Sequence, residues 1–346
     1  MAEKITAPSV ERPDLAKHDS SILDLVFAMD CTGSMGSYIK TAQKNIRDIV
    51  EAIVASENSN VHLALVEYRD HPPQDASFVT RTHDFTSSVS TMKTWLDNCM
   101  ASGGGDCPEA VADALHDVLK LSWRDEATKI CVLISDAPPH GLSECGDSFP
   151  NGCPAGLDPI DITQQLAEKG ITLYSVGCEP AILPYRDFFM ALAYKTGGQY
   201  TPLGGAKLLT KIIIGGAKEE ISLQQWMADV DEEVKSHMAS GRDIDDEAVT
   251  KVLHSKLKLK GARAQQLRRN DEELAGISNK AKAMSEMKHM KSAKSVFKSS
   301  IEECDNLMDE ADSSDIYGNC DVETTEYQVN RMLQRAKAQN FYKKSS

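Results

Sequence analysis

ILDLVFAMDCTGSMGS, residues 22–37, is the stretch from which the fold is read. It begins as an apolar run in which Asp24 is the only polar residue before Asp30. A short run of this kind predicts a strand buried on both faces of a parallel sheet, with Asp24 marking its entry. Thr32, Gly33, Ser34 and Gly36 follow, and then a helical pattern begins. Asp30, Thr32 and Ser34, at i, i+2 and i+4, turn one carboxylate and two hydroxyls into a single crevice. The carboxyl ends of the strands are where open α/β sheets hold ligands. Hard oxygen donors of this type suit Mg²⁺ or Mn²⁺, with Ca²⁺ admissible, better than zinc. Read alone, Asp-x-Thr-x-Ser also fits a helix cap.

Working outward, Tyr38-Ile39, Ala42, Ile46, Ile49-Val50 and Ile53-Val54 recur at helical spacing. VHLALVEY (61–68) predicts a second strand, halted by Arg69-Asp70-His71-Pro72-Pro73, and Thr82–Phe85 a short edge strand. A helix over 87–100 leads into SGGGDCPE (102–109), whose three glycines open backbone paths closed to other residues. Pro108 and Glu109 then suit the first turn of a helix that runs to about Leu121. KICVLIS (129–135) is a buried strand ending at Asp136-Ala137-Pro138-Pro139-His140, and a Gly/Pro/Cys loop covers 141–157. Helix, strand, helix and a short strand complete the pattern to about 201. Such alternation argues for a doubly wound, mainly parallel sheet covered on both faces. From about 206 the pattern is helix-compatible, predicting an all-helical C-terminal region. The expected division is a mobile leader over 1–19, an α/β domain over 20–215 and helices over 216–346.

The chain has 346 residues and a net charge of −14, which is −13 over residues 1–205 and −1 over the rest. An acidic chain gains nothing from phosphate backbones, so nucleic acid is an improbable partner. No run is long enough for a membrane span and no signal peptide is visible, so a cytoplasmic protein is expected. The nine scattered cysteines fit a reduced compartment, with Cys145 and Cys153 the least secure as free thiols. No CxxC or clustered Cys/His set is present, which argues against structural zinc. Cys31 and Cys107 are read as packing residues, and His140 as a surface-loop histidine or a rim residue. Asp70-His71 reads equally as a catalytic pair or a surface turn. Residues 251–300 carry 13 basic and 4 acidic side chains, and 301–326 carry 10 acidic and no basic ones. The basic run reads first as a solvated helix face, with pairing of the two segments in a helical hairpin and a lipid-facing patch as the alternatives, and the acidic segment could instead plug the crevice.

Three distant segments thus end at one rim: Asp30-x-Thr32-x-Ser34, Asp106 on the glycine loop, and Asp136. Together they resemble the von Willebrand factor A domain with its metal-ion-dependent adhesion site. That resemblance covers about 19–215. DCTGSM, GGGDCPE, the YRDHP segment and the DAPPHG loop are most similar to the A domains of von Willebrand-type alpha-kinases. The kinase domain itself is not recognised downstream. The resemblance implies a Mg²⁺ held by Thr32 and Ser34, with Asp30 and Asp136 acting directly or through water. Asp106 stands where many members carry threonine; a third carboxylate would tighten metal retention and weaken the preference for an acidic partner residue. The implied function is non-catalytic: a metal-dependent protein-binding module with a helical docking or oligomerisation region. The alternatives are a self-assembling subunit that binds its own copies and a regulatory paralogue of an alpha-kinase.

Overall fold

The computed structural model describes residues 22–57, 60–143, 146–240, 245–274, 276–298 and 310–345. The first part runs β1 (Ile22–Asp30), α1 (Gly36–Glu57), β2 (Asn60–Tyr68), β3 (Thr80–Thr86), α2 (Val89–Asn98), α3 (Val111–Lys120), β4 (Thr128–Ser135), α4 (Pro159–Glu168), β5 (Ile171–Cys178), α5 (Arg186–Lys195) and β6 (Tyr200–Leu203). It continues with α6 (Leu209–Gln224), α7 (Met227–Ala239), α8 (Asp246–Leu259), β7 (Arg263–Arg269), β8 (Glu272–Glu273), α9 (Asn279–Ser285), α10 (Met290–Lys298), β9 (Tyr317–Glu323) and α11 (Glu326–Ser345).

Six strands form one sheet in the order β3-β2-β1-β4-β5-β6. All neighbours are parallel except the edge pair β2–β3. Because strand side chains alternate, the central strands supply both faces. Leu25, Phe27, Leu65, Val132 and Val176 pack beneath α1, α2 and α6. Val26, Ala28, Val66, Leu133 and Leu173 pack beneath α3, α4 and α5. The order reverses between β1 and β4, which is the topological switch point of a doubly wound sheet. Asp24 lies fully buried at the opposite end, paired with Arg124 at 2.6 Å. Ser88 and Asp158 cap α2 and α4 through their side-chain oxygens, as short polar residues at that position do.

The C-terminal region is mainly helical, but it is not all-helical as expected. β7 pairs antiparallel with β8 and β9 in a small second sheet. RAQQLRR and YGNCDVE carry too few apolar residues to signal strands, and their pairing is set by long-range partners. Arg263–Asp321 and Arg269–Asp315, each at 2.9 Å, join the basic and acidic segments. Charge pairing between the two segments, one of the alternatives to a solvated face, is thus made by strands and their flanking turn rather than by a helical hairpin. Residues 301–309 lie outside the described residues, as do Cys145 and the leader. The described acidic stretch does not enter the crevice: Ala311 N–H donates to Glu179 at 2.6 Å, and Asp315 is held by Arg269 and Asn270.

The expected boundary at residue 215 falls inside α6, whose Ile212, Ile213 and Ala217 complete one face of the large sheet. Two glutamates on α6, Glu219 and Glu220, are buried. Arg331 of α11, fully buried, pairs with Glu219 at 2.9 Å and with Glu220. Arg335 also pairs with Glu220. Tyr174 of β5 donates to Glu220 at 2.8 Å, and Arg331 and Arg335 both donate to the Gly197 carbonyl. One charge network therefore ties α11 to α6 and to the sheet. Removing one member of a buried network leaves the others desolvated without a counter-charge, at a cost of about 3–5 kcal/mol. Arg331→Ala is expected to lose that much in urea unfolding, and a loss below about 1 kcal/mol would show that the network holds nothing together.

Candidate metal centre

The strand register places Met29 opposite Ile134, so β1 and β4 deliver Asp30 and Asp136 to the same rim, side by side. Asp30 is fully buried, Asp136 half-buried and Ser34 exposed. The Thr32 backbone N–H and hydroxyl both donate to Asp30 Oδ1, at 2.8 and 2.6 Å. Thr32 and Ser34 hydroxyls lie 3.3 Å apart, and the Ser34 hydroxyl is near enough to Asp136 to oppose the rise in its pKa. Asp30, Thr32, Ser34 and Asp136 are therefore one connected group running from the sheet interior to solvent.

The glycine loop lies along the first turn. Gly33 N–H donates to Gly103 O at 3.2 Å, and Ser102 N–H to Cys31 O at 3.1 Å. Gly103 and Gly104 adopt φ of 81° and 82°, which favours glycine. A Cβ at Gly104 would stand 2.8 Å from Glu109 Oε1 and 3.2 Å from Thr32 Cβ. The absence of side chains there lets Glu109 approach the first turn.

Glu109 was read from the sequence as a first-turn dipole partner, and the structure corrects this. It precedes α3 and forms a parallel bridge with Pro139, its N–H donating to Pro138 O at 2.9 Å. Its side chain turns inward and is buried. Burial first, then the charges of Asp30, Asp70, Asp106 and Asp136, push its carboxyl up to about 10. Burial, reinforced by Asp136, likewise pushes Asp30 up to about 7 against the opposing Thr32 hydrogen bonds. Asp136 is also raised by burial, with the Ser34 hydroxyl opposing. Asp30 Oδ2 and Glu109 Oε2 are buried without a hydrogen-bond partner. Arg69, the basic group acting on Asp30, spends its guanidinium on the Cys31 and Met100 carbonyls and on Ser77.

Asp106 faces a neighbouring group. Its Oδ2 accepts from Ser148 N–H at 2.7 Å, and its carboxylate lies within 4.8 Å of Asp70 and His140. His140 is buried rather than a surface residue, 2.7 Å from Asp70 and 3.1 Å from Asp147. Burial would lower its pKa, but hydrogen bonds to those two carboxylates hold it above the ordinary histidine value. Asp70 and His71 do not act as a pair: Asp70 meets His140, and His71 meets Asp113 at 2.9 Å. His71, Asp113 and Cys153 form a mixed cluster that the absence of any local Cys/His motif concealed.

The fit to a hard dication is good on the donor set itself. Asp30 and Glu109 each keep a buried oxygen without a hydrogen-bond partner near the Thr32 and Ser34 hydroxyls, and among the described residues no ion pair reaches either carboxyl. Oxygen donors of this kind match Mg²⁺ or Mn²⁺. Among the described residues, no helix is long and apolar enough to cross a membrane.

Saturating Mg²⁺ is expected to raise the melting temperature of the full chain, and Asp30→Ala to abolish the rise. A ligand at about 100 times its Kd stabilises by about 2.7 kcal/mol. Glu109 is ionised in the unfolded chain at neutral pH but held protonated when buried, and Glu109→Gln removes the cost of that proton uptake, so in EDTA it is expected to melt higher than wild type. Differential scanning calorimetry checks both; a lower EDTA melting temperature for Glu109→Gln would contradict the charge-crowding account.

Residues 24–144 match the family model of the von Willebrand factor A domain. The chain is 30% identical over 158 residues to the alpha-protein kinase vwkA of Dictyostelium discoideum, covering 45% of this chain and 25% of that protein. It is 26% identical over 204 residues to a putative ariadne-like RING finger protein of Acanthamoeba polyphaga mimivirus, covering 57% and 20% respectively. The chain thus spans a quarter or less of these curated relatives. Among solved structures, the pilus adhesin SpaC of Lactobacillus rhamnosus GG aligns with a TM-score of 0.45 at 11% identity, over 58% of this chain and 31% of that one. The strand order and the switch-point turns agree with the von Willebrand factor A domain model that residues 24–144 match.

Proposed function

We propose that this protein is a non-catalytic, metal-dependent protein-binding module. The observation that carries the reading is the connected group Asp30–Thr32–Ser34–Asp136, buried at one end and open to solvent at Ser34. Asp30 and Asp136 supply the charge that would retain Mg²⁺, while Thr32 and Ser34 supply neutral oxygens. Glu109, held protonated in the absence of a cation, is a further buried carboxyl beside them that could release its proton to a dication. A dication held at an exposed rim keeps coordination positions for a partner's oxygen. The acidic surroundings favour a neutral donor, such as a carbonyl or hydroxyl, over a carboxylate, because a further negative charge meets repulsion. Gly103, Gly104 and Gly105 are exposed beside Ser34, so the rim offers backbone as well as metal to a docking surface. The region from α7 onward, anchored by the Arg331 network, would act as the docking or oligomerisation element.

The similarity to an alpha-protein kinase supports a place beside such an enzyme as a second reading, in which the chain regulates rather than phosphorylates. Both readings make the crevice the contact point. An affinity pull-down with full-chain wild type and Asp30→Ala, each in Mg²⁺ and in EDTA, is expected to yield proteins retained only by wild type with Mg²⁺. Identical captured sets in all four arms would remove the metal from the binding function.

A further inference from the structure

Beyond the rim site, a second cluster of different chemistry lies under the YRDHP turn. His71 Nε2 is 2.9 Å from Asp113 Oδ2. Cys153 Sγ is 3.2 Å from the same oxygen and 3.6 Å from His71 Nε2. Three separate segments supply the three atoms: the turn after β2, the start of α3, and the long loop before α4. His71 and Asp113 are nearly buried, and Cys153 is half-exposed, so one side of the triangle remains open to solvent.

We propose that His71, Asp113 and Cys153 form a binding site for a zinc-type transition-metal dication, distinct from the hard-cation rim. Tetrahedral zinc, with bonds of about 2.0–2.1 Å to nitrogen or oxygen and about 2.3 Å to sulfur, sets its ligand atoms about 3.3 Å (N to O) and about 3.5 Å (S to N or O) apart. The triangle of 2.9, 3.2 and 3.6 Å matches those edges to within about 0.4 Å. A nitrogen, a sulfur and one carboxylate oxygen form a donor set that selects zinc or cobalt over magnesium. Three protein ligands leave the fourth position for water at the open side.

The surroundings are built to hold a thiolate. Ala155 N–H donates to Cys153 Sγ at 3.3 Å. Such N–H···S contacts orient a ligating sulfur and offset its charge. The loop is fixed in place: Phe149 packs edge-on against both His71 and His140, and Gly152 abuts Gly141 so closely that a Cβ there would sit 2.8 Å from Gly152 Cα. A nucleophilic cysteine does not fit the same geometry. Burial, with the Asp113 carboxylate beside it, pushes the thiol up to about 11, whereas a nucleophile needs a lowered value. Metal binding resolves this by displacing the thiol proton to solvent, leaving a Cys153–metal bond and a neutral His71 donating its Nε2 lone pair.

Cobalt(II) tests the proposal in the full chain, because a thiolate–cobalt bond absorbs where an oxygen-ligated ion does not. Titration of metal-free protein is expected to give a near-ultraviolet charge-transfer band saturating at about one equivalent, bleached by added Zn²⁺. Cys153→Ser should lose the band and Asp30→Ala should keep it. No band in wild type, or a band that survives Cys153→Ser, overturns the site. Alkylation supplies a measurement on unmutated protein. Zn²⁺ is expected to slow labelling of Cys153 about tenfold while leaving exposed Cys107 unchanged, and Mg²⁺ to protect neither. Equal Cys153 labelling with and without Zn²⁺ rejects the proposal.

Discussion

Negative charge buried at the switch point of the sheet is the constraint around which this structure is built. β1 ends in Asp30, Asp136 directly follows β4, and the bridge between Glu109 and Pro139 brings a third carboxyl within their electrostatic reach. Carboxylates withdrawn from water must be protonated, paired or coordinated to metal. Protonation is what the raised pKa values of Asp30 and Glu109 describe for the site on its own. Among the described residues no ion pair reaches Asp30 or Glu109; Arg69, which acts on Asp30 from a distance, is engaged by the Cys31 and Met100 carbonyls, by Ser77 and by Asp75. In the proposed function a dication would supply the missing charge, with the Thr32 and Ser34 hydroxyls sharing in holding it.

Elsewhere the chain meets the same requirement by pairing. Glu219 and Glu220 are as deeply buried as Asp30, yet Arg331 and Arg335 face them. Asp24, at the far end of β1, meets Arg124. This contrast within one molecule sets the paired carboxylates apart from Asp30 and Glu109, each of which keeps a buried oxygen with neither a hydrogen-bond partner nor, among the described residues, an ion pair. It also explains why the C-terminal region is not a detachable tail: α11 supplies the cations that α6 needs, and α6 closes one face of the sheet.

The large sheet was legible because its strands are continuous apolar runs separated by helical periodicity, and because DCTGSM and ISDAPPH fall where strands end. Positions that depend on distant partners were not legible. Glu109 looked like a helix-start residue because Pro108 precedes it; its inward turn comes from bridging Pro139, which local sequence does not reveal. β7 and β9 carry polar strands whose pairing rests on cross-strand charges rather than on an apolar face. His71, Asp113 and Cys153 are 42 and 40 residues apart in successive steps, so no spacing rule detects them. The buried histidine His140 sits in a Pro/Gly loop that reads as surface until Phe149 and Asp147 are seen to cover it.

The most direct measurement is anomalous diffraction from crystals of the full chain grown with Mn²⁺ in place of Mg²⁺. The account requires a manganese peak within bonding distance of Ser34 and among the oxygens of Asp30, Thr32 and Asp136. A well-ordered rim at saturating Mn²⁺ with no peak there, its carboxylates neutralised by protons or by a shifted basic side chain, would contradict it.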